Sequence, residues 1–144
     1  MERSAMRLTL FTDLGLRTLM RLAGEPERLF TTEEISRDLK VSRNHLTKVV
    51  SDLAAAGFVQ TRRGAGGGFH LARSPETIII GDVARALEGD QPLVECFQAD
   101  GGACTLMPGC RLKGRLAAAQ AAFFRELDGM TLAECATPRP KIPG

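Results

Sequence analysis

Cys96, Cys104 and Cys110 form a C-x7-C-x5-C array. Between them lie Gly101-Gly102-Ala103 and Met107-Pro108-Gly109, which permit a tight wrap. Zinc sites pair cysteines two to four residues apart, and no gap here has that spacing. Longer gaps suit an iron–sulfur cluster, whose irons are ligated from different directions. The other reading is three free buried thiols. Cys110 opens a long helical pattern, and the positive end of a helix dipole favours a thiolate there. Three cysteines leave one iron ligand unassigned. Cys135 is a candidate by type, but it lies beyond that helix, which would be roughly 25 Å long at 1.5 Å per residue. A small, buried apolar role suits Cys135 better.

A second group of residues carries charge. Between Lys40 and Arg73 stand Lys40, Arg43, Lys48, Arg62, Arg63 and Arg73, against the single acid Asp52. That window therefore carries +5 of a net charge of +2, leaving −3 elsewhere. A local basic patch on a nearly neutral chain fits either a nucleic-acid face or a solvated surface. Local structure favours the first. Ser42 is a good N-cap for a helix from Arg43 to Ala56, with Leu46, Val49, Val50 and Leu53 inward and Gly57 as its stop. Before it, Thr31 and Glu34 have capping-box spacing and open a short helix to about Lys40 that buries Ile35 and Leu39. Two short helices joined by a tight turn make a helix-turn-helix. Phe58 to Thr61 and Phe69 to Leu71 then read as strands around Arg62-Arg63-Gly64-Ala65-Gly66-Gly67-Gly68. This is the hairpin of a wing, whose arginines reach phosphate or a narrow minor groove. It lacks the lysine–hydroxyl ending of a nucleotide-binding P-loop. Arg43, Asn44, His45, Thr47 and Lys48 are the candidate DNA contacts of the second helix, and Arg62 and Arg63 those of the wing.

These elements need a frame. A first helix is expected over Thr12 to Ala23, burying Leu16, Leu19, Met20 and Ala23. A short helix, Asp82 to Glu88, turns Ile80, Val83 and Leu87 inward. A long helix, Arg111 to Leu127, carries Leu112, Leu116, Ala119, Phe123 and Leu127 at near coiled-coil spacing, the pattern of a homodimer interface. Thr131 to Glu134 starts a short last helix. The fold class is thus mainly α with a small β-hairpin wing: a winged helix-turn-helix domain (residues 6–88), a cysteine loop (89–110), a dimerisation helix with a short C-terminal helix (111–136), and a disordered tail (137–144).

The chain has 144 residues, 44% apolar and 25% charged, an ordinary globular composition. No apolar run approaches the ~18–20 residues of a membrane span, and no signal peptide is evident. The expectation is a cytoplasmic protein with reduced thiols and no membrane partner. Nothing resembles an enzyme's substrate pocket, and both histidines, His45 and His70, fall in the DNA-binding segment.

Several stretches together resemble the Rrf-two family of winged-helix regulators, in particular its nitric-oxide-sensing repressors. They are Met6-Arg7-Leu8-Thr9, Phe11-Thr12-Asp13-Leu14-Gly15-Leu16-Arg17, Arg62 through Phe69, Leu93-Val94-Glu95-Cys96-Phe97, and Cys110-Arg111-Leu112. The resemblance covers about Met6 to Glu134. Residues 1–5 precede the family's usual start, which makes Met6 a candidate initiator. The family implies a homodimer with crossed long helices on pseudo-palindromic operator DNA. It implies an iron–sulfur cluster, 4Fe-4S rather than 2Fe-2S, held by Cys96, Cys104, Cys110 and an aspartate of the partner subunit's first helix. The matching residue is Asp13, which as a plain sequence feature also reads as a charge stabilising a helix N-terminus. A sister branch uses a histidine after the third cysteine, and no histidine follows Cys110 here. Cys135 stands where the family commonly has an apolar residue. The implied function is a repressor that loses operator affinity when nitric oxide attacks the cluster. A regulator responding to redox or cluster status through a 2Fe-2S centre is the alternative.

Overall fold

A computed structural model describes residues 8–89 and 110–136. Cys96, Cys104, most of the loop and the expected tail lie outside the described residues. The order is α1 (Leu10–Ala23), α2 (Thr32–Leu39), α3 (Arg43–Ala55), β1 (Val59–Arg62), β2 (Gly68–Leu71), α4 (Ile80–Glu88) and α5 (Arg111–Leu127). Single 3-10 turns, Pro75–Thr77 and Ala133–Cys135, precede α4 and follow α5.

α1 starts two residues earlier than its sequence pattern suggests, because Thr9 is the N-cap and its hydroxyl accepts from the Thr12 amide. Its buried face is also wider. Leu14, Leu19, Leu22 and Ala23 are core, together with Thr12, Thr18 and Arg21, while Leu16 and Met20 are only half-buried. The reason is that α1 packs against α2, α3, α4 and β2 at once, so a single stripe does not describe it.

α2 is capped by Thr31, whose hydroxyl accepts from the Glu34 amide. The reciprocal half of the capping box is missing, because Glu34 pairs with Arg28 instead. Lys40, with φ 55°, turns the chain into α3. Ser42 occupies the α3 N-cap position without a side-chain cap bond. Leu46, Val49, Val50 and Leu53 are buried as their periodicity demands. Truncating one of these leucines to alanine costs about 2–5 kcal/mol.

α3 ends in a Schellman motif. Gly57, at φ +84°, donates its amide to the Ala54 carbonyl, and Phe58 donates to the Leu53 carbonyl. Phe58 is therefore consumed by the cap, and β1 begins one residue later than expected. β1 and β2 pair antiparallel, Val59 opposite Leu71 and Arg62 opposite Gly68. Phe30, just ahead of α2, exchanges both backbone bonds with Phe69 at 2.8 Å each, which ties the wing to the body.

The chain after α5 docks back onto α4. The Ile80 amide donates to the Met130 carbonyl and the Leu132 amide to the Ile78 carbonyl, and Leu132 is fully buried. Arg85 grips Asp128 through two bonds of 2.7 Å. Gly81 permits this approach, since a Cβ there would collide with the Asp128 carboxylate. Thr131 and Glu134 do form a reciprocal capping box, but only one 3-10 turn follows it, not a helix. By contrast α5 buries none of its residues in the single chain, and Leu112 and Phe123 are 60% and 44% exposed.

Candidate DNA-binding face and metal-ligand residues

The four buried residues of α3 leave its opposite side to solvent. Arg43, Asn44, His45, Thr47 and Lys48 are all exposed there. Thr47 turns its hydroxyl back onto the Arg43 carbonyl at 2.8 Å, so it offers mainly its methyl group outward. Arg62 and Arg63 are exposed at the end of β1 and the start of the wing turn. Among the described residues neither forms an ion pair. Helix and wing thus present free cations.

The body holding this face is stapled by charge. Arg21, 1% exposed, donates to Asp38 of α2 at 3.1 Å and to Glu25 at 2.8 Å, and stacks 4.9 Å from the Phe30 ring centroid. One of its guanidinium nitrogens has no partner. The Arg21 hydrogen bond holds the Glu25 carboxyl below the usual range. Sequence inspection missed this network, because Arg21 and Asp38 are seventeen residues apart and no local pattern links them.

The second feature is the N-terminus of α1. Asp13, in its first turn, faces outward and pairs bidentately with Arg17, at 3.1 and 2.5 Å. Its carboxylate is about half-exposed, so it is open to exchange of partner. On another side of the same turn, Glu88 at the end of α4 accepts from the Thr9 amide at 3.2 Å and from the Thr9 and Thr12 hydroxyls at 2.7 and 2.6 Å. Glu88 directly precedes the cysteine loop. Sequence inspection missed this clasp too, since its partners are 76 to 79 residues apart.

Cys110 is the N-cap residue of α5 and is half-buried. Its side chain makes no cap bond, and the positive end of the α5 dipole favours an anionic group there. This suits a thiolate ligand at the one cysteine of the triplet that is described. Among the described residues no group of three metal-ligating side chains occurs. Cys135 is at the other end of α5, packed against the core. Its thiol donates to the Leu132 carbonyl at 3.4 Å, and burial pushes its pKa up. It is therefore disfavoured as a thiolate.

An exposed second helix of a helix-turn-helix, followed by a two-stranded wing with free arginines, defines a winged-helix DNA-binding regulator. Residues 8–138 match the Rrf2 family, described as an iron-dependent transcriptional regulator, and the chain belongs to that family. It is 41% identical over 128 residues to the HTH-type transcriptional regulator NsrR of Shouchella clausii, covering 88% of this chain and 86% of that protein. It is 44% identical over 128 residues to NsrR of Bacillus subtilis, covering 88% of each. Among solved structures, CymR, the global cysteine regulator of B. subtilis, superimposes with a TM-score of 0.72 at 27% identity, covering 92% of this chain and 97% of that one. T. potens IscR superimposes at 0.70 and 25% identity, covering 90% and 85%. The protein is a transcriptional regulator. None of the described helices is long and apolar enough to cross a membrane.

Proposed function

We propose that this regulator is a cytoplasmic, homodimeric repressor that senses nitric oxide through an iron–sulfur cluster, with 4Fe-4S favoured over 2Fe-2S. Cys96, Cys104 and Cys110 would hold it from one subunit and Asp13 of the partner subunit would complete it. The observation that supports this reading is a cysteine at the α5 N-cap and, on α1, an outward carboxylate, in a chain so similar to NsrR proteins. Bound there, the cluster would supply iron open to a small diatomic ligand, and Asp13 of the partner subunit would be its one oxygen donor. The apolar residues of α5, exposed Leu112 and Phe123 with half-buried Leu116 between them, suit a helix crossing in the dimer.

The chain's own part is a change of partner. When Asp13 of the partner subunit is a ligand, α1 of one subunit is tied to the cysteine loop of the other. When it is released, Asp13 returns to Arg17, four residues on. The tie sets the spacing of two α3 helices, and spacing decides whether both enter successive major grooves of a pseudo-palindromic operator. Arg43, Asn44, His45, Thr47 and Lys48 then line the groove and Arg62 and Arg63 anchor the wing. A coupling of ~3 kcal/mol suffices for about a hundredfold change in affinity.

The test is an anaerobic titration with a nitric-oxide donor, following cluster absorbance and operator binding together, on wild type and Asp13→Ala. Wild type should bleach and release DNA in parallel, while Asp13→Ala should keep a cluster yet lose or loosen the coupling. Identical curves would remove Asp13 from the mechanism. Release on oxidation but not on nitric oxide would favour the redox or cluster-status reading.

A further inference from the structure

The first turn of α1 has three engaged sides. Asp13 faces outward with Arg17, and Thr12 is buried under Glu88. Phe11, two residues before Asp13, packs against the core and lies beneath α3, with the Lys48 ammonium 5.8 Å from its ring centroid. Lys48 itself is exposed, on the face that carries the other candidate DNA contacts. A lysine has four flexible carbons and normally wanders over its surface. An aromatic face beneath the ammonium limits that wandering and leaves the other N–H groups free for an anion.

We propose that Phe11 is a positioning residue for operator binding. Its ring holds Lys48 at the edge of α3 as a phosphate clamp, so that the turn carrying Asp13 bears directly on a DNA contact. Lys48 is then a contact to the DNA backbone, not a reader of base edges. The link to sensing rests on the proposed role of Asp13, whereas the link to DNA does not. Because Phe11 and Asp13 share one helical turn, a displacement of that turn following Asp13 moves the ring under Lys48 as well.

The experiment is a double-mutant cycle on the full-length dimer, purified without oxygen so that it keeps its cluster, with Phe11→Leu, Lys48→Ala and the pair, measured as operator affinity over a salt series. Lys48→Ala should lower the log–log salt slope by about two units, one for each subunit's lost phosphate contact, and should weaken binding to unrelated DNA as well. Phe11→Leu keeps apolar bulk but removes the ring face, and should weaken binding about fourfold. In the Lys48→Ala background Phe11→Leu should add nothing, and Phe11→Tyr should bind like wild type. Any loss of folded protein enters both backgrounds equally and cancels. Equal losses from Phe11→Leu in both backgrounds, or none in either, would overturn the proposal. If Lys48→Ala itself were silent, the assignment of α3 to DNA would fall with it. When the same dimer is titrated with a nitric-oxide donor, Phe11→Leu should also loosen nitric-oxide-dependent release, and unaltered release would cut the link to Asp13 while leaving the clamp.

Discussion

Replacing Glu88 by alanine tests how the N-terminus of α1 is held. The Glu88 carboxylate accepts from the Thr9 amide and from the hydroxyls of Thr9 and Thr12. Thr12 is fully buried, so its hydroxyl loses its charged acceptor without access to bulk water. Its one remaining neighbour of this kind is the Thr9 hydroxyl, 3.1 Å away. Hydrogen bonds to a charged group are each worth about 1.5–3 kcal/mol, and bonds sharing one acceptor are not additive. The negative charge at the positive end of α1 adds a few tenths. The expected loss is therefore about 2–3 kcal/mol, a large part of a typical 5–15. Urea unfolding should show a lower midpoint with an unchanged slope. Hydrogen exchange should quicken first at the amides of α1's opening turn. Glu88→Gln, which keeps one oxygen acceptor, should fall between. A Glu88→Ala midpoint equal to wild type, with unaltered exchange in α1, would refute the clasp.

On DNA, Arg43→Ala and Arg63→Ala should each weaken operator binding and lower the salt slope by roughly one unit per subunit, about two for the dimer; wild-type behaviour of both in a salt series would sink the winged-helix interface. Serine at Cys96, Cys104 or Cys110 should abolish the cluster, whereas Cys135→Ser should retain it, as assayed by iron and sulfide after anaerobic purification. A colourless Cys135→Ser protein would reverse the assignment. The Arg85 hydrogen bonds hold the Asp128 carboxyl below its ordinary range. The stability they contribute is present above the unfolded carboxylate pKa, about 3.9, and is lost as pH falls through the lower folded value. Thermal melts should therefore show a shallower acid decline for Asp128→Asn than for wild type below about pH 4.

Elements defined by local periodicity were legible in the sequence. α3 showed its buried positions because one side packs and the other faces solvent, and α5 showed its limits because caps and breaks flank it. α1 was misread at its start and on its face, because it is enclosed on several sides and Thr9, not a residue nearer Thr12, ends it. The final helix shrank to one turn because backbone pairing with Ile78 and Ile80 claims the chain around Leu132. For the site, residue type marked the cations of α3 and the wing. Distant pairings such as Glu88 with Thr9, Arg21 with Asp38, and Phe11 with Lys48 leave no trace in spacing, since only the fold brings them together.

In the proposed dimer, the junction of α4 with the segment after α5 would make each protomer one arm of a caliper. Arg85, Gly81 and Leu132 fix the angle of α5 to the DNA-reading body within a single chain. In a dimer built on α5, the opening of the jaws then depends only on where the two helices cross. A slip of one helical turn is about 5.4 Å, more than the ~3.4 Å between base pairs. Operator spacing would thus be written along α5, in the choice of which apolar residues meet, and a lineage could retune its half-site distance there without altering a single residue that touches DNA.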